Sequence, residues 1–173
     1  MPDAGKESEL SEYTFFVPGQ PRGKGRPRFT TRGGFPRTYT DKKTRSFEDG
    51  ILAAFRDAYP DAKPFPAGVP VSVYVFARLE PPKSWPKYRK EASRFRLHTE
   101  KPDLDNILKS VLDALQKDGG PVPDDSAVAD IICNKRWCRE NEAPGLLIRI
   151  SHQTVETGFY TENGKKDKDK SAP

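Results

Sequence analysis

Asp103 and Asp105 stand two residues apart in Lys101-Pro102-Asp103-Leu104-Asp105-Asn106-Ile107-Leu108-Lys109, where an extended segment should give way to a helix. Carboxylates this close repel, so in a folded chain they either raise a pKa or hold a cation between them. Hard oxygen donors suit Mg²⁺, which takes one or two carboxylates, keeps several waters and accepts substrate phosphate. Pro102 disfavours the helical region for Lys101, so the chain arrives extended. From Asp105 onward Ile107, Leu108, Val111, Leu112 and Leu115 recur at the spacing of one helical face. On that helix Asp105, Lys109 and Asp113 are each four apart and form a stripe beside the apolar face. If Asp103 belongs to the extended segment, it points to the same side as Asp105.

Helix capping is the bland use of such a pair, and on spacing alone it is the commoner one. A second pair, Asp124-Asp125, shifts the balance. It follows Gly119-Gly120-Pro121 and Pro123, which predict a chain reversal, and precedes Ala127-Val128-Ala129-Asp130-Ile131-Ile132, which reads as a strand. A helix, a turn and a returning strand can bring Asp125 back near Asp103 and Asp105, a geometry that the periodicity permits.

The run Lys-Pro-Asp-Leu-Asp-Asn-Ile-Leu-Lys, then Leu-Asp-Ala-Leu, then Asp-Asp-Ser-Ala-Val resembles the signature of the RusA family of Holliday-junction endonucleases, many of them carried by prophages. The signature covers roughly residues 98 to 135, and the earlier Gly-Gln-Pro-Arg-Gly-Lys-Gly-Arg-Pro-Arg segment resembles longer members. By that resemblance Asp103, Asp105 and Asp125 match the metal-binding aspartates, with Mg²⁺ as the cofactor and Mn²⁺ as a substitute. Lys109 matches the catalytic lysine and Asn106 the family's asparagine. Asp113 and Asp124 match more loosely and are expected to support the ligands. The resemblance also implies a homodimer that cuts four-way DNA junctions in recombination and repair. One departure is the 119–123 linker, richer in Gly and Pro than a compact turn requires.

The elements that must position these groups are outlined by composition. With 173 residues, the chain fits one domain, while 17 prolines and 13 glycines imply long loops. The net charge of +5 is compatible with an anionic partner. Cys133 and Cys138, five apart, suggest neither a zinc site nor a local disulfide. No apolar run approaches a membrane span and the N-terminus lacks a signal peptide's apolar region, so a cytoplasmic protein without membrane contact is expected.

In chain order, residues 1–12 read as a disordered N-terminus and 13–153 as the endonuclease domain. The rest, 154–173, reads as a polar disordered tail. Tyr13 to Val17 predicts a strand. From Arg22 to Arg45 there are nine Lys or Arg against one acidic residue, Asp41. Lys24, Arg26, Arg28, Arg32 and Arg37 from this arm, together with Lys101, are the expected phosphate contacts. Ser46-Phe47-Glu48-Asp49 suggests a capped helix start, with Phe47, Ile51, Phe55 and Tyr59 as its core stripe and Pro60 ending it. Val69 to Ala77 alternates as a half-buried strand. A second basic block at 83–101 leads into the acidic motif, with Trp85 and Phe95 among its cations. Ala127 to Trp137 and Leu146 to Ile150 predict two closing strands. The expected fold is α+β, a single domain with a small mixed sheet and packed helices, RusA-like. Three other readings stand beside the junction nuclease: a non-catalytic DNA-binding module, a nuclease for other branched DNA, and a protein that contacts an acidic protein partner.

Overall fold

The computed structural model describes residues 12–25, 28–30, 35, 37–39 and 41–152. In chain order these form β1 (Glu12–Pro18), β2 (Arg28–Thr30), β3 (Arg37–Tyr39), α1 (Lys42–Ala58), β4 (Val71–Leu79), α2 (Lys87–Ser93), α3 (Leu104–Leu115), a short 3-10 turn (Asp125–Ala127), β5 (Val128–Trp137) and β6 (Gly145–His152). The expected N-terminal tail up to Ser11, the tail from 154, and Arg26 and Arg32 lie outside the described residues.

β4 is the spine. Val71, Val73, Val75, Ala77 and Leu79 are buried, while the alternate Ser72, Tyr74, Phe76 and Arg78 are half-buried. That alternation is the period of a strand with one face on the core. It pairs antiparallel with β6 and parallel with β5, and β6 pairs antiparallel with β1, giving the order β1-β6-β4-β5. A mixed four-stranded sheet in an α+β domain is therefore what the chain forms. On the covered face α1 contributes Ile51, Leu52 and Phe55, and α3 contributes Ile107, Val111, Ala114 and Leu115. Each large side chain buried there stabilises the fold by about 1.5–3 kcal/mol. The predicted stripe of α1 holds: Ile51 and Phe55 are buried, with Phe47 and Tyr59 packed partly buried beside them.

Several boundaries move for local reasons. α1 starts at Lys42, four residues before Ser46, because the extended Asp41 accepts from the Lys43 and Thr44 amides at 2.6 and 3.3 Å. That is a complete N-cap, so Ser46 falls inside the helix. β4 begins at Val71, since Val69 belongs to a turn around Gly68, whose φ is +81°. The basic arm contains the small antiparallel pair β2-β3, and the second basic block contains α2. Neither has an apolar period that would announce it.

Candidate nuclease site

Gln20, Pro21, Arg22, Gly23 and Lys24 face Lys101, Pro102, Asp103 and Asn106 across an open cleft. Asp103 is the N-cap of α3, extended at φ −67° and ψ 147°, yet its carboxylate caps no helix amide. Only its carbonyl enters the helix, accepting from Ile107 at 3.1 Å. The capping reading therefore fails for Asp103, whose exposed carboxylate borders the cleft. Asp105 is exposed in the first turn, where the helix dipole favours negative charge. Lys109 is exposed one turn further on.

The approach to Asp103 is tied to β5. His98 donates its amide to the Lys135 carbonyl at 3.2 Å. The Lys135 ammonium donates to the carbonyls of Glu100 and Pro102, both at 2.8 Å. The Lys101–Pro102 peptide is cis. His98 is buried with its ring 4.1 Å from that of Trp137. Burial, then the neighbouring Lys135 charge, lowers its pKa. It belongs to this packing and does not line the cleft.

The basic loop docks on the other side. Lys24 donates its amide to the Asn106 carbonyl at 2.8 Å. A Cβ at Gly23 would stand 2.9 Å from that of Asn106 and 3.2 Å from that of Pro102, so the approach needs glycine. The Lys24 ammonium pairs with Asp113 and lies 3.5 Å from Glu48. Lys117 pairs with the same Glu48 at 3.2 Å and with Asp49 at 2.7 Å. Two expectations change here. Lys24 neutralises acids between α1 and α3 and is not spare for phosphate. Asp113 serves that pair, about 12 Å along the helix from Asp105, and does not support the metal ligands.

Asp124 and Asp125 sit at the far end of α3. Val122 donates its amide to the Leu115 carbonyl at 3.2 Å, fixing the turn there. The Asp124 carboxylate accepts from the Ser126 amide at 2.9 Å and caps the 3-10 turn. Hydrogen bonds from Ser126 lower its pKa. Asp125 is exposed in that turn. α3 spans 12 residues, a length of about 18 Å between the two acidic ends. β5 does return along α3, but what it delivers to Asp103 is Lys135, ten residues past Asp125. Among the described residues no three His, Cys, Asp or Glu side chains gather closely enough to hold a metal. The expected meeting of Asp125 with Asp103 and Asp105 does not occur within one chain.

Of the other expected DNA contacts, Lys101 lines the cleft, and Arg28 and Arg37 lie in the β2-β3 pair. Gln20, Arg22 and Lys135 are the site residues that sequence reasoning missed. Arg22 opened the basic run and was the available signal, whereas nothing local marks Lys135. Both cysteines are free, and burial pushes each thiol's pKa up to about 11. Among the described residues no helix is long and apolar enough to cross a membrane.

Two comparisons with known proteins bear on this chain. The chain is 29% identical over 139 residues to the uncharacterized protein YqaN of Bacillus subtilis (strain 168), spanning 79% of this chain and 96% of that protein. Residues 18–151 match the family described as endodeoxyribonuclease RusA, a stretch that holds the cleft, α3, the Asp124-Asp125 turn, β4, β5 and all but the last residue of β6. The chain belongs to the RusA family of endodeoxyribonucleases, hydrolases that act on DNA.

Proposed function

We propose that this chain is a Mg²⁺-dependent endonuclease that resolves four-way DNA junctions in recombination and repair, working as a homodimer. The observation that carries the reading is the Asp103 carboxylate, which stands at a helix N-cap without capping and borders a cleft rimmed by Arg22 and Lys101. Asp103 and Asp105 supply the hard oxygen donors that Mg²⁺ or Mn²⁺ takes alongside water and phosphate. Bound there, the metal would polarise the scissile phosphate and acidify water.

The chain's own groups do the rest. Arg22 and Lys101 draw the phosphate backbone toward carboxylates that would otherwise repel it. Lys109, one turn along α3 from Asp105, offsets charge developing on the phosphoryl oxygens or orients the attacking water. Asn106 adds an amide to the same cleft. Asp125 lies too far off to join its own chain's pair, which favours completion of each site by Asp125 of a second copy. A closed two-fold dimer then carries two sites, matching a substrate with two strands to cut.

A denaturing gel tests this with labelled four-way junction, flap and linear duplex in Mg²⁺. Paired nicks on the junction, abolished by Asp103→Asn or Asp105→Asn while binding persists, are expected. Near-normal cleavage by both variants would leave only a DNA-binding module.

A further inference from the structure

Six and four residues before Lys101, the chain displays an apolar pair that the fold does not use. Phe95 is 90% exposed and Leu97 is 72% exposed. They line one groove with Arg94, Arg96, Arg136 and Arg139. The segment is held firmly despite its exposure. Arg96 donates its amide to the Ser93 carbonyl at 2.9 Å, Leu97 bridges Arg136 of β5, and His98 bonds Lys135. An exposed phenylalanine on an anchored backbone contributes nothing to the core, so its position calls for an occupant from outside. The charge around it says which kind. Arg136 is bound by Glu142, which also holds Arg78, but Arg94, Arg96 and Arg139 have no ion pair among the described residues. Apolar side chains ringed by cations fit a base face between phosphates.

We propose that Phe95, seconded by Leu97, is a wedge that stacks on bases at the branch point of the DNA, with Arg94, Arg96 and Arg139 on the flanking phosphates. The wedge rests on the junction reading above and adds to it a means of telling branched from linear DNA. At a branch point stacking is already interrupted, so a side chain enters at less cost than in a continuous duplex. Eight residues separate Phe95 from Asp103, a span of at most about 28 Å. The wedge and the cleft therefore lie within about one turn of duplex, roughly 34 Å, of each other.

The test is binding of the full-length protein to a labelled four-way junction and to linear duplex of equal length, in EDTA so that nothing is cut. Phe95→Ala should weaken junction binding about 5- to 150-fold, the range for losing one stacked base. Duplex binding should stay within about twofold and the salt slope should not move, since no phosphate contact is removed. Phe95→Trp should keep the junction preference. A preference that survives intact in Phe95→Ala, or equal losses on both DNAs, overturns the wedge alone. A change in sedimentation with junction preference unchanged makes Phe95 a protein contact and also overturns it. Wild-type protein that binds both DNAs alike overturns the junction reading and the wedge with it.

Discussion

The Lys24 amide donates to the Asn106 carbonyl at 2.8 Å, and the same residue's ammonium reaches Asp113 and Glu48. One residue therefore fixes the cleft's basic wall to α3 through its backbone and ties α3 to α1 through its side chain. Its neighbour Arg22 is exposed on the cleft rim.

Those two positions should separate in experiment. Lys24→Ala leaves the half-buried Asp113 and the buried Glu48 short of a countercharge, and should cost about 1–3 kcal/mol of stability. Arg22→Ala should leave the urea midpoint unchanged and flatten the log-log salt dependence of DNA binding by about 0.9. Both are read from urea titration and binding at several salt concentrations. A large change of slope for Lys24→Ala with no loss of stability would return that residue to the DNA-binding set.

Lys135 should act at a distance. Its ammonium holds the Glu100 and Pro102 carbonyls, the second of these just before Asp103. Lys135→Met removes both bonds and loosens the approach to the carboxylates. Cleavage should slow about 10- to 100-fold, the scale of a small misplacement of reacting groups. Junction binding in EDTA should be nearly unchanged, and more Mg²⁺ should be needed for half-maximal rate. An unaltered Mg²⁺ requirement would show that Asp103 is positioned without Lys135.

Acid should release the turn after β5. Glu142 accepts from Arg136 twice at 2.6 Å, from Arg78 at 3.0 Å and from the Arg139 amide at 2.9 Å. These bonds, led by those from Arg136, depress its pKa from 4.5 to about 2. A depressed carboxylate stabilises fully above its unfolded pKa, so its contribution is present above pH 4.5 and fades toward pH 2. Glu142→Gln should therefore be less stable than wild type at neutral pH, with the gap in urea midpoint closing across that window. A gap constant from neutral pH to about pH 2 would contradict the assignment.

The sequence exposes local periods better than meetings between distant groups. α3 was legible from Ile107, Val111 and Leu115, and β4 from its alternating valines, because burial on one face imposes those spacings. α2 was hidden, since Lys87-Tyr88-Arg89-Lys90-Glu91 has no apolar stripe. The role of Lys24 was hidden because its acidic partners lie 24 and 89 positions away. For Asp125 the turn and returning strand were legible, but not which residue of the strand arrives beside Asp103. That depends on the antiparallel course of β5 along α3, which brings Lys135 there instead. Asp103 itself was ambiguous until the side chain was seen to leave the helix amides uncapped.

The most direct test of the account is a mixing experiment. Asp105→Asn chains and Asp125→Asn chains, each inactive alone, are combined under conditions that exchange subunits and assayed on a four-way junction with Mg²⁺. If Asp125 serves the carboxylate pair of a second copy, each mixed dimer keeps one intact site: the Asp103 and Asp105 of one chain with the Asp125 of the other. Restored nicking, confined to single cuts, is expected, with none from mixing Asp103→Asn with Asp105→Asn. No restoration from subunits shown to have exchanged would contradict it.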